Sequence, residues 1–172
     1  MDGTIGAGEY NLMKFSNYSE YFNWTKGKGL PSTLEDVENY LKNDMKIYMG
    51  WNGNDFYVAL QAKAPKAEYN CDFAGNELYL FRAWSFQVAI TDIETDPEGF
   101  DRAEIGIGYD PASGGKMISY TKWGTRKNIK LTAGENFAAN WDKDAELVTY
   151  EMKLDLTSVL GKKAENEDLF RL

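Results

Sequence analysis

Histidine is absent from this chain, and that absence decides much of its chemistry. The commonest general base, the usual zinc ligand and the usual haem ligand go with it. Cys71 is the single cysteine, with no partner for an internal disulfide and no histidine to make it a nucleophile. Carboxylates are plentiful, but none of the 27 sits in a recognisable catalytic frame, so no enzyme activity is expected. Asp92, Glu94, Asp96 and Glu98 alternate along one acidic stretch. They read either as a solvated loop or as oxygen ligands for a structural calcium ion; no other cofactor is expected. What stands out is a tryptophan, Trp84, set beside Arg82 at the start of the alternating run "SFQVAITD". It is either core or a ring held out at the end of a sheet for a ligand to stack on.

Around Trp84 the polar residues have a pattern. Phe86, Val88 and Ile90 face one way in 85–92, and Ala103, Ile105, Ile107 and Tyr109 do the same in 102–109. The opposite faces carry Ser85, Gln87, Ala89 and Thr91 beside Arg102, Glu104, Gly106 and Gly108. A solvated face is usually covered by long lysine and glutamate chains. This one reads as a hollowed surface with a few polar groups, or as an ordinary exposed face short of long side chains.

The elements that must position these residues are mostly strands. "KIYMGWNGNDFYVALQA" (46–62) is a hairpin: Ile47, Met49 and Trp51 alternate, "NGND" turns, and Phe56, Val58 and Leu60 alternate back. Strands are predicted also over 116–123 and 146–154, the latter with Val148, Tyr150, Met152 and Leu154 inward. A helix is predicted over 32–43, capped by Ser32 and with Leu34, Val37 and Leu41 on one face. Asp155 or Thr157 caps a last helical turn that Gly161 stops. Trp51 and Trp141 share parity with apolar neighbours and are expected in the core; Trp24, in a basic, glycine-rich loop, reads either as a lid packed over the sheet end or as a secondary contact. The expected fold is an all-β antiparallel β-sandwich, jelly-roll-like, with one or two short helices in a single domain over 1–172.

A net charge of −8 repels nucleic-acid phosphates, whereas a neutral ligand is unaffected by it. No apolar run approaches the roughly 20 residues of a membrane span, so no membrane partner is expected. No signal peptide is visible, and targeting information is expected to lie outside these residues.

Five stretches occur in order: "DGTIGAGEY", "IYMGWNGNDFYVALQAKAP", "AWSFQVAITD", "RAEIGIGYD" and "VTYEMKLDLTSVLG". Together they resemble the family 9 carbohydrate-binding modules and the wider DOMON-like β-sandwiches. The resemblance implies a bacterial secreted or cell-surface module, tethered to a glycoside hydrolase or another surface protein, that binds a polysaccharide or oligosaccharide. It implies that Trp84 is one wall of an aromatic clamp on a sugar ring. Gln87, Arg102 and Glu104 then serve the hydroxyl rim, Tyr79 and Tyr120 extend the platform, and Trp123 is the nearest candidate for the opposite wall. The departures are Gln87 in place of the family's aspartate, Ile90 in place of its glutamate, and Glu104 near an expected arginine. The chain also ends at "EDLFRL", where family members continue with a further strand and the second clamp tryptophan, so either the C-terminus is truncated or the partner aromatic comes from elsewhere. Two other readings stand beside this one. One is a structural or adhesion sandwich making protein contacts. The other is a haem-holding relative, for which only methionine and lysine ligands remain.

Overall fold

A computed structural model describes residues 1–8, 10–12, 33–64, 80, 84–92, 102–110, 115–122, 129, 131–161, 163 and 170–171. Their strands are β1 (Asn11–Leu12), β2 (Met45–Asn52), β3 (Asp55–Lys63), β4 (Ser85–Asp92), β5 (Ala103–Asp110), β6 (Lys116–Lys122), β7 (Phe137–Asp142), β8 (Leu147–Asp155) and β9 (Phe170–Arg171). They form an antiparallel β-sandwich. One sheet runs β1-β2-β3-β8-β7 and the other β6-β5-β4-β9.

The expected hairpin is β2–β3, in register from Met45↔Ala62 to Asn52↔Asp55. The two loop residues are therefore Gly53 and Asn54, and positive φ falls on Gly53 alone. Glycine at the first loop position is what a II′ turn requires, and its twist matches that of the strands it joins. The inward set also follows the alternation. Phe56, Val58, Leu60, Val148, Tyr150, Met152 and Leu154 from the first sheet meet Phe86, Val88, Ile90, Ile105 and Ile107 from the second. Tyr150 is 1% exposed and disposes of its hydroxyl by donating to the Trp84 carbonyl at 3.0 Å.

Helix α1 (Leu34–Asn39) runs into a single π-helical turn at Tyr40–Asp44, shorter in regular α geometry than the predicted 32–43. Leu34, expected on a buried face, is 36% exposed, and the predicted cap Ser32 lies outside the described residues. Helix α2 (Leu156–Leu160) fits its prediction. The Asp155 carboxylate accepts from the Thr157 and Ser158 N–H groups, and Gly161, at φ 75°, closes the helix by donating to the Thr157 carbonyl. Leu156, Val159 and Leu160 reach the main core from it.

The outer face of the larger sheet is covered by the chain's first residues. Glu151, on β8, points away from the core yet is 1% exposed. Its carboxylate accepts from the Asp2 N–H (3.1 Å), the Gly3 N–H (2.7 Å) and the Tyr10 hydroxyl (2.9 Å). Gly3 sits at φ 79°, and a Cβ there would lie 3.1 Å from Asn140 Cβ, so only glycine passes so close to the sheet in that conformation.

At the chain's other end, the "EDLFRL" stretch supplies a strand. Phe170 and Arg171 pair with Asp92 and Thr91 on the outer edge of β4.

Candidate binding surface

The outer face of β4, β5 and β6 is organised by rungs of three residues. Ser85, Gly108 and Ile118 form one rung, Gln87, Gly106 and Tyr120 the next, and Ala89, Glu104 and Lys122 the third. The two glycines make room, as their size implies, but the room is filled by the chain itself. A Cβ on Gly106 would stand 2.2 Å from Tyr120 Cε1, and one on Gly108 would stand 2.6 Å from Leu80 Cδ2. Leu80, Ile118 and Tyr120 thus form a small second core on this side of the sheet. The expected hollow is a packed floor.

Across that floor runs a directed chain of hydrogen bonds. The Tyr120 hydroxyl donates to Gln87 Oε1 at 2.9 Å; Gln87 Nε2 donates to Ser85 Oγ at 3.4 Å; Ser85 Oγ donates to the Leu80 carbonyl at 2.9 Å. Gln87 is exposed, and a primary amide has two donor hydrogens and two acceptor lone pairs, so one of each still faces solvent.

Glu104 stands one rung along, and Arg102 lies at the head of β5. Arg102 Nη2 approaches Glu104 Oε2 at 3.6 Å, with the side chains 43% and 20% exposed. An ion pair that open contributes about 0–1 kcal/mol to stability. The Tyr120 phenol is held above its ordinary ionisation range, first by burial and then by the Glu104 negative charge. It therefore stays a hydroxyl donor at neutral pH.

Of the residues expected to act together, Gln87, Arg102, Glu104 and Tyr120 do share this face. Trp84 does not join them. It has the parity of Phe86 and Val88, is half-buried, and packs against the interior core. The platform expected of Trp84 is thus a wedge at the end of the sandwich, and the parity that places it there was readable in "WSFQV". Tyr79, Trp123, Trp24 and Cys71 lie outside the described residues. So do Glu94, Asp96 and Glu98 of the candidate calcium set, while Asp92 is buried at the strand end that β9 covers. Among the described residues no three histidine, cysteine, aspartate or glutamate side chains are grouped to hold a metal.

Among the described residues, the exposed aromatic is one the alternation assigned to the core. Trp51 is 71% exposed, on the last turn of β2 before the hairpin loop. Its inward parity does not bury it, although Phe56, opposite it on β3, belongs to the core. Proximity to the "NGND" turn was the available signal. Trp141, also expected in the core, does pack against it; its indole N–H donates to the Ala64 carbonyl at 3.2 Å, and Lys143 Nζ stands 5.6 Å from its ring centroid.

No protein-family profile, curated protein or solved structure matches this chain. Among the described residues no helix is long and apolar enough to cross a membrane.

Proposed function

We propose that this chain is a non-catalytic carbohydrate-binding module whose polar grip is the Gln87–Tyr120–Glu104 surface of the smaller sheet. One observation carries the reading: an exposed glutamine amide hydrogen-bonded to a phenol on one side and a serine on the other. A free surface glutamine gives up about 0.5–1.5 kcal/mol of rotamer entropy when it is immobilised by a ligand. Gln87 has already been immobilised by its neighbours. Its outward N–H and lone pair are spaced as vicinal sugar hydroxyls are, each of which donates and accepts. Glu104 adds an acceptor and Arg102 a fork of donors on the same strip. A neutral polysaccharide also suits a chain of net charge −8, which would repel an anionic one. The family resemblance adds a secreted or surface setting and a tether to a larger enzyme or surface protein.

Affinity electrophoresis through gels containing a neutral β-glucan, xylan or mannan tests this. The wild-type chain is expected to be retarded by one of them. Gln87→Ala should weaken that binding about tenfold, the scale of a lost polar partner at 1–3 kcal/mol. Near-UV circular dichroism should be unchanged in the variant. Free migration of the wild type in every gel would refute the proposal. Trp84→Ala is not the variant of choice, because that side chain packs against the core.

A further inference from the structure

Among the described residues, the carbohydrate reading leaves the most exposed aromatic side chain unused. Resting on that reading, we infer that Trp51 is a second contact, a ring on which a pyranose in the interior of a neutral β-linked glycan stacks.

The display of this indole is a property of a fixed scaffold and not of a loose loop. Its cross-strand partner Phe56 is 5% exposed, and Met49, two residues back on the same face, packs against the main core. The tip beyond Trp51 is tied to α2. Asn54 Nδ2 donates to the Asp155 carboxylate and, at 2.8 Å, to Thr157 Oγ1, and the Leu156 N–H donates to the Asn54 carbonyl at 3.0 Å. The ring therefore stands on a hairpin braced against a capped helix. A binding group held in place in advance loses little freedom when its ligand arrives.

The surroundings select the ligand. Among the described residues only Leu34 and Trp51 are large hydrophobics that stand exposed, and Leu34 belongs to α1. A protein partner buries about 800 Å² on each side around an apolar centre. One indole flanked by Asn52 and Gly53 offers far less, yet it matches the face of one sugar ring. The carboxylates of Asp55 and Asp155, next to the turn, disfavour an anionic ligand. The ligand class is then a neutral pyranose with equatorial substituents, whose axial C–H groups make both faces apolar. Gly53, which has no side chain, raises no wall at the tip, so a ring in mid-chain is accommodated as well as a terminal one.

The experiment uses a β-1,4-linked glucohexaose, native and borohydride-reduced, with the wild-type chain and the variants Trp51→Ala, Trp51→Phe and Gln87→Ala. Affinity is read by calorimetry and ring contact by acrylamide quenching of tryptophan emission. Trp51→Ala should weaken binding about tenfold, or 1.4 kcal/mol. Trp51→Phe, which keeps a ring, should stay within about threefold of wild type. The hexaose should protect wild-type emission from acrylamide, and reduction of its end should leave affinity unchanged. Trp51→Ala binding like wild type while Gln87→Ala fails overturns this inference and leaves the proposed function standing. Loss in Trp51→Ala with Gln87→Ala unaffected supports the inference and removes the sheet face from the site. Failure of the wild type to bind the hexaose overturns this inference, and free migration in every polysaccharide gel as well sinks both. Self-association of the wild type that Trp51→Ala abolishes, with no protection by sugar, makes the ring a protein contact and overturns the inference.

Discussion

Glu151→Ala provides a demanding test of how the two ends of this sequence are joined. The carboxylate is 1% exposed and receives two backbone N–H groups and one phenol, all from the first ten residues. A hydrogen bond to a charged group contributes about 1.5–3 kcal/mol, and three that share one acceptor group do not add independently. Truncation also removes the partner of the buried Gly3 N–H. The partly exposed Asp2 N–H and Tyr10 hydroxyl recover some hydration. The expected loss is about 3 kcal/mol, and for a chain of this size each kcal/mol lowers Tm by about 2–4 °C, so Tm should fall by about 6–12 °C. Denaturant unfolding gives the free energy, and hydrogen exchange at Gly3 reports whether the segment has come loose. Tyr10→Phe closes the cycle. It should cost about 1 kcal/mol in the wild type and almost nothing once Glu151 is alanine. A loss below about 1 kcal/mol for Glu151→Ala, or equal costs for Tyr10→Phe in both backgrounds, would show that the carboxylate is not the anchor.

Two further substitutions follow from close contacts. Gly106→Ala puts a methyl group 2.2 Å from the Tyr120 ring, which must move; the expected cost is about 1–3 kcal/mol by denaturant unfolding, with glycan affinity falling alongside because Gln87 loses its hydroxyl donor. Asp155→Ala removes the cap of α2 and should cost about 1 kcal/mol at pH 7. The pH dependence of that second loss has a definite sign. The Asp155 carboxyl is held below its ordinary value of 3.8, chiefly by the Ser158 hydroxyl, with the Thr157 and Ser158 N–H groups and Asn54 assisting against the opposing effect of burial. A lowered folded-state value means that the ionised form is the one that stabilises. The contribution is therefore complete above pH 3.8 and disappears as pH falls through the folded value. Wild type and variant should converge in acid, and a gap that persists or widens there would contradict the assignment.

The fold was legible wherever one face of a strand is apolar. Ile105, Ile107, Val148 and Met152 declared their side by alternation, and Asp155 and Gly161 marked both ends of a helix only five residues long. Legibility failed where a side chain's fate depends on what lies opposite it. Trp51 has inward parity and a buried partner in Phe56 yet stands exposed, whereas Glu151 has outward parity but is covered by a segment from the far end of the sequence. Gly106 and Gly108 announced space on the sheet, and nothing local told whether a ligand or the chain's own Tyr120 and Leu80 would occupy it. The candidate site was half readable for the same reason. Strand register brings Gln87 and Glu104 together with Tyr120, while Trp84, taken as their companion, follows its own parity to the other side.

The central pairing of the larger sheet sets the order in which this molecule can assemble. β3 and β8 lie side by side with partners roughly 80 to 100 residues apart, so a long stretch of chain must close before their ladder gains anything. The β2–β3 hairpin, whose partners are close in sequence, has no such delay. Refolding is then a search for β8 by a hairpin already formed, in the slow regime of sandwiches dominated by distant contacts. The bonds from residues 2 and 3 to Glu151 span 149 and 148 positions and need β8 in place first. They come late, and act as a brake on unfolding more than as a guide to folding.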